Sequence, residues 1–247
     1  MVNNEIHKTM KIEHKFSVML NDKTVISVSE CKARGIKAEN ALGIVLQTPT
    51  VGMVVALEEW KDVKWGSTNL ENDACGEADA MLEMSGLELT MNIVEHQQER
   101  GDEDTAAIKC WEYSKGGLQW YLPCFRELVA LAAFEDEFNE ICDILGADEA
   151  KLDASYRWSS SEDGQFDAWR MNFASGNFIS DYKYYEFVVR AVCAFSSILD
   201  ARRSFNAEQM EQAVVTDLSQ ATDEELVIEL RKRNFSGRII KSIEYTV

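Results

Sequence analysis

The chain predicts an α+β protein, and three observations carry that expectation. Two apolar runs, Leu42–Leu46 and Val51–Leu57, flank Gln47-Thr-Pro-Thr50 as strands flank a turn. After Pro123 a stripe of Leu128, Leu131, Phe134, Phe138, Ile141, Cys142 and Leu145 repeats at helical spacing. Further on, Trp169, Met171 and Phe173 alternate with Ala168, Arg170 and Asn172, the period of a half-buried strand. A length of 247 residues is enough to bury a sizeable core.

In chain order, the polar opening holds two short β-prone runs, Phe16–Leu20 and Thr24–Val28, with Asn21-Asp22 between them as a turn signal. Residues 1–40 are expected to form a separate segment, either a small hairpin or an arm docking on another subunit. The main domain is expected over residues 41–198. Pro49 breaks its first two strands, because proline cannot donate to a ladder. Trp60, Trp65 and Gly66 lead into a polar run, Ser67 to Asp79, expected as a loop. Leu87, Met91 and Val94 stand at helical spacing and mark a helix ending in the acidic loop 100–104; residues 105–115 can continue helically until Gly116-Gly117. Leu118 to Pro123 is a short extended approach to the strongest helix, which Gly146 is placed to cap. Glu135, Asp136, Glu137, Glu140 and Asp143 lie off its apolar stripe as a solvated face.

After an acidic linker, 147–153, Trp158 to Ser161 opens a strand, 162–165 is a loop and Phe166–Phe173 is a second strand. Ser175-Gly176 supplies a tight turn, since glycine tolerates positive φ. Phe178 and Ile179 begin the return, Ser180 to Glu186 loops out, and Phe187–Phe195 closes the domain. Val189, Ala191, Cys193 and Phe195 share one face of that strand, while Val188, Arg190, Val192 and Ala194 share the other. Both faces are largely apolar, so the strand should be central and Arg190 should be paired for structural reasons. Residues 199–247 become helical and polar: Asn206 can cap a helix through Leu218, and Thr222-Asp-Glu-Glu225 is a capping box for another through Lys232. They are expected to form a helical appendage.

Composition narrows the function. No run approaches eighteen apolar residues, so no membrane insertion is expected. The N-terminus lacks signal-peptide order, which points to a chain cytoplasmic as made, or carried out within an assembly such as a phage virion. Six cysteines form no CxxC, and the three histidines (His7, His14, His96) offer no ligand cluster; free thiols, no metal and no cofactor are expected. The net charge of −18 belongs to residues 35–198, which carry twelve Lys/Arg against thirty Asp/Glu. A surface of that sign repels phosphate backbones, so nucleic acid is a poor partner.

Against this background one stretch stands out. Between Trp158 and Phe187, nine residues of thirty are aromatic, against fifteen in the other 217. Some belong to the core. Tyr182, Tyr184, Tyr185 and Phe187, however, are interleaved with Ser180, Asp181, Lys183 and Glu186, a mixture of stiff rings and short polar groups that suits recognition. The same tyrosines can also be read as a wet loop covering strand edges.

The elements Gly43-Ile-Val-Leu46, Val54-Val-Ala-Leu57, Trp65-Gly66, Gly117 to Pro123, Arg126-Glu-Leu128, Arg157 to Glu162, Ala168-Trp169, Asn172-Phe173, Ser175-Gly-Asn177 and Val189-Arg-Ala-Val192 through Phe195 resemble a known family. They are similar to the C-type-lectin-like ligand-binding domain of the variable proteins made by diversity-generating retroelements in gut bacteria and their phages. The two terminal segments lie outside the match. The resemblance implies two helices and a small twisted antiparallel sheet whose last third is a display surface. Its scaffold would be Trp158, Ser159, Ser160, Ala168, Trp169, Phe173, Gly176, Lys183, Val189, Arg190 and Phe195. The display positions would be drawn from Glu162, Asp163, Gln165, Phe166, Asp167, Arg170, Asn172, Asn177, Ser180, Asp181, Tyr182, Tyr184, Tyr185, Glu186 and Phe187.

Two relatives of that fold do not fit. The Glu-Pro-Asn, Gln-Pro-Asp and Trp-Asn-Asp motifs of calcium-dependent lectins are absent, and Cys193 stands alone where formylglycine-generating enzymes carry a cysteine pair. The expected function is therefore non-enzymatic recognition of a macromolecular ligand, a cell-surface protein or a glycan, by a monomer or a homo-oligomer. The alternatives are a structural subunit or adhesin of a phage particle or surface assembly, and an enzyme using the same cleft.

Overall fold

Two continuous apolar runs set the frame of the molecule, β3 (Ala41–Gln47) and β4 (Gly52–Ala56), paired antiparallel with Ile44 opposite Val55 and Val45 opposite Val54. Both are buried on both faces, which is why they read as unbroken hydrophobic stretches rather than alternating ones. The structure, a computed structural model, describes residues 15–66 and 85–195. The polar run from Ser67 to Asp79 and the helices expected after Asn206 and Thr222 lie outside the described residues.

Around that pair the described residues build a mixed α+β fold of two antiparallel-rich sheets and five α-helices. The remaining strands are β1 (Lys15–Leu20), β2 (Val25–Ser27), β5 (Trp60–Lys64), β6 (Trp120–Tyr121), β7 (Tyr156–Glu162), β8 (Asp167–Asn172), β9 (Phe178–Tyr182), β10 (Glu186–Val189) and β11 (Val192–Ala194). The helices are α1 (Val28–Arg34), α2 (Gly86–Glu99), α3 (Ala106–Glu112), α4 (Phe125–Ala132) and α5 (Glu135–Leu145). The first sheet has the order β2-β1-β3-β4-β11-β6 and the second β5-β10-β7-β8-β9.

The first sheet separates two cores. On one face Val18, Ile44, Leu46, Met53, Val55 and Val192 pack with Leu128 and Leu131 of α4 and Phe138, Ile141 and Leu145 of α5. On the other, Val45, Val54, Ala56 and Trp120 meet Ile93 and Val94 of α2, Ala106 to Ile108 of α3, and Val63, Trp65, Trp158 and Val189 around the second sheet. Gly146 ends α5 in the left-handed conformation, as its position in the sequence required (φ 67°).

Several expectations are corrected. Residues 15–40 hold the expected hairpin, β1 with β2 and Val18 opposite Ile26, but they do not stand apart: β1 also pairs with β3, with Val18 opposite Ile44, inside the first sheet. The long helix after Pro123 is two helices, interrupted at Phe134 (φ −133°), whose ring packs edge-on against Phe16. Met91 is exposed, because α2 buries Leu89, Ile93 and Val94 instead. The described residues hold five α-helices where the resemblance implied two, and Trp60–Lys64, expected only to lead into the polar run, is a strand. The closing strand is central, as both apolar faces demanded, but it is split. β10 lies between β5 and β7, and β11 between β4 and β6, in different sheets.

The split is held by charge. The chain first passes from the first sheet to the second between β4 and β5, where Glu59 lies, and after a further visit to the first sheet at β6 it returns for the last time between β10 and β11, at Arg190. Glu59 Oε1 accepts hydrogen bonds from Arg190 Nε at 2.8 Å and Arg157 Nε at 2.5 Å, and the three side chains are almost wholly buried. Arg190 is thus paired, as expected of a cation inside the core. Glu59→Ala leaves the buried Arg190 guanidinium without a carboxylate and Arg157 with Asp153 alone, and is expected to cost about 3–5 kcal/mol in urea unfolding; a loss within experimental error would mean that water replaces the pair.

Candidate functional site

The second sheet ends in two neighbouring loops, 163–166 between β7 and β8 and 183–185 between β9 and β10. One buried cation binds them together. Lys183 is wholly buried, and its three ammonium hydrogens have three acceptors: Glu162 Oε1 at 2.5 Å, the Gln165 carbonyl at 3.0 Å and the Gly164 carbonyl at 3.2 Å. The ammonium also lies 4.7 Å from the centre of the Trp65 ring. The Lys183 backbone N–H donates to the Phe166 carbonyl at 3.0 Å, and its own carbonyl accepts from Trp65 N–H at 3.0 Å. A single residue therefore fixes one loop from within and carries Tyr184 and Tyr185 directly after it.

The tryptophan–serine run beneath the loops is a hydrogen-bonded platform. Trp158 Nε1 donates to the Val63 carbonyl at 3.0 Å and Trp65 Nε1 to the Ser159 carbonyl at 2.8 Å. Ser159 Oγ donates to the Trp169 carbonyl at 2.8 Å, and Ser161 Oγ accepts from Phe125 N–H at 2.9 Å. Small hydroxyls are needed here because the strands and α4 approach closely and their backbone groups must still be satisfied.

Four large side chains on the loops and the adjoining end of β9 face solvent: Phe166 at 48% exposure, Tyr182 at 47%, Tyr184 at 52% and Tyr185 at 42%. The tyrosines are packed on one another rather than splayed. Tyr182 and Tyr184 are stacked with ring centres 5.3 Å apart, and Tyr185 meets Tyr184 edge-on at 4.8 Å. Rings that have already given up rotamer freedom lose little more on contact with a partner.

The other expected display residues divide. Gln165, Asn177 and Glu186 are exposed, while Asp163, Asp167, Ser180, Asp181 and Phe187 are partly so. Three are corrected. Glu162 is buried, because it is the counter-ion of Lys183. Arg170 is buried, its guanidinium held between the rings of Tyr156 (3.7 Å) and Phe187 (4.1 Å) and paired with Asp181 at 2.6 Å. Asn172 is buried because its amide donates to the Ala154 carbonyl and its Oδ1 accepts from Ser175 N–H. Of the expected scaffold, all are buried except Phe195, which is half-buried, and Gly176, whose φ of 65° forms the exposed turn.

Sequence reading missed Trp65 as the floor under Lys183, Tyr156 as a platform for Arg170, and β5 as the neighbour of β10. The alternation of buried Val63 and Trp65 with polar Asp62 and Lys64 is the signal that could have revealed β5. Burial pushes the thiols of Cys142 and Cys124 up to about 11 and about 12, so neither is a thiolate at neutral pH. Among the described residues no group of three or more His, Cys, Asp or Glu side chains could hold a metal ion, and no helix is long and apolar enough to cross a membrane.

No protein-family model matches the chain, and no curated protein matches it in sequence. Among solved structures its fold is similar to that of a fimbrial protein from Bacteroides ovatus, with a TM-score of 0.54 and 14% sequence identity over 75% of this chain and 49% of that one. The chain thus spans about half the length of that structure, and at this identity the likeness is one of fold.

Two measurements test the geometry. Lys183→Met removes the ammonium beside the buried Glu162 carboxylate and is expected to cost about 3–5 kcal/mol in denaturant unfolding, while adding Glu162→Leu recovers most of the loss. Equal losses in the single and double variants would show that the carbonyl contacts, not the ion pair, hold the loop. Separately, partial burial, then repulsion from Asp163 and Asp181, raises the Asp167 carboxyl above its ordinary range. A raised folded value means the folded state holds the proton more tightly, so this group favours folding at low pH and loses that effect as pH rises through the folded value. Asp167→Asn is expected to keep its Tm better than the wild type between about pH 3 and about pH 7.

Proposed function

We propose that the chain is a non-enzymatic recognition protein that presents the 163–166 and 183–185 loops to a macromolecular ligand on a cell or particle surface. The observation that carries this reading is the tyrosine cluster: three mutually packed, half-exposed rings next to a buried ion pair. Rigid rings over an anchored base supply contact area without an ordering cost, and nothing in their setting makes them part of the core. In this reading the domain is C-type-lectin-like and of the kind diversified by retroelements. The buried tryptophan–serine platform under exposed, variable-looking loops supports that assignment.

A second reading has its own support. The fold likeness to a fimbrial protein favours an adhesin or subunit of a surface assembly that carries the same patch without diversification. DNA beside the gene separates the two: a reverse transcriptase and a near-copy of the codons for residues 157–195, differing at adenines, belongs to the first only.

Recognition itself is tested by panning the full chain against a peptide library and a glycan array, then substituting Tyr182→Ala, Tyr184→Ala and Tyr185→Ala together. Capture is expected to fall by about tenfold or more, as for central aromatic anchors, with Tm nearly unchanged. Lost stability with capture intact would make the rings a structural cover.

A further inference from the structure

A groove of 680 Å³ opens beside the tyrosines, with Tyr184 in its wall together with Glu186, Asp62, Asp102, Glu103 and Asp104. Its size is that of a site for a side chain and its flanking backbone. Asp104 is paired with Lys109 at 2.7 Å, and Lys64, also in the wall, is 4.0 Å from Glu186. Five carboxylates line the groove with Lys64 as the cation in its wall, and although Asp104, Glu186 and Asp102 have contacts of their own, the lining is acidic.

The same end of the protein shows twice what such surroundings hold. The Arg170 guanidinium is taken up by the faces of Tyr156 and Phe187 and the Asp181 carboxylate, and the Lys183 ammonium by the face of Trp65 and the Glu162 carboxylate. Each is a ring with a carboxylate closing on a cation, the arrangement that ring quadrupole and charge favour together. Tyr184 with Glu186 repeats that pairing of groups in the open, and no described cation lies over the rings of Tyr182, Tyr184 or Tyr185.

Resting on the recognition reading above, we infer that this surface takes a basic polypeptide segment, with an arginine or lysine side chain in the groove against Tyr184 and the acidic wall. A polypeptide fits better than a small polycation because exposed Phe166 and Tyr182 extend the patch beyond the groove, offering apolar contact to neighbouring side chains. A net charge of −18 draws such a partner in, and the loops orient it.

The test uses the full chain and a fluorescein-labelled nine-residue arginine peptide, followed by anisotropy at about 50 and about 300 mM NaCl. Binding is expected to weaken about tenfold in Tyr184→Ala, and by as much in the groove triple Asp62→Asn, Glu103→Gln, Glu186→Gln, while Tyr184→Phe keeps most of it. A control triple removing the same charge from exposed helix and turn positions, Glu95→Gln, Glu140→Gln and Glu149→Gln, is expected to lose less than about twofold. Equal losses in the two triples would reduce the attraction to bulk charge and overturn the inference, as would an unaffected Tyr184→Ala. Spermine competing with the same dependence on the groove residues would overturn the choice of a polypeptide. If the tyrosine triple abolishes capture of uncharged library members while the groove triple leaves every ligand untouched, the recognition reading stands and the inference falls. If neither variant changes any binding, both fall.

Discussion

A buried carboxylate between two guanidinium groups is the constraint on which the rest of the structure depends. The chain first leaves the first sheet between β4 and β5 and returns to it for the last time between β10 and β11, and these two passages meet at Glu59. Arg190 donates to it from the return, and Arg157 donates from the strand that begins the platform. Arg190 also reaches the Ala56 carbonyl at 3.3 Å, while Ala56 N–H donates to the Ala191 carbonyl at 3.0 Å, so backbone and side chains close the junction together. Replacing such a triad by apolar groups can be energetically neutral; what it secures here is where the second sheet leaves the first.

From that junction outward, one problem recurs and is solved the same way. Cations are placed inside the fold, and each is given a carboxylate and an aromatic face. Arg190 has Glu59 and the Phe138 ring, Arg170 has Asp181 and two rings, and Lys183 has Glu162 and Trp65. The dense aromatics near the C-terminal end of the domain are therefore divided between two tasks. Trp158, Trp169 and Phe173 fill cores, and Tyr182, Tyr184 and Tyr185 cover the outside of the anchored loops.

What the sequence disclosed followed from local periodicity. The apolar runs of β3 and β4, the stripe of α5 with its glycine cap and the need of Arg190 for a partner were all readable, because each is written within a few residues. What stayed hidden depends on distance in the chain. Nothing near Glu162 announces Lys183, and an acid after a tryptophan–serine strand reads as a loop residue until its counter-ion is seen. Arg170 looked solvent-facing because its two rings, Tyr156 and Phe187, come from other strands. The division of the closing strand between two sheets was invisible for a similar reason. A continuous apolar pattern does not record a change of pairing partner at residues 190 and 191.

The anchor of the 163–166 loop has a bearing on how this protein can change over generations. Within that loop, Lys183 grips main-chain oxygens: its ammonium donates to the carbonyls of Gly164 and Gln165, and its backbone N–H donates to the carbonyl of Phe166. Carbonyls are the same for every amino acid. Mutation can thus rewrite the side chains at 163, 165 and 166 while the grip that seats them is inherited intact, which leaves this rim of the molecule free to drift in character without drifting in place.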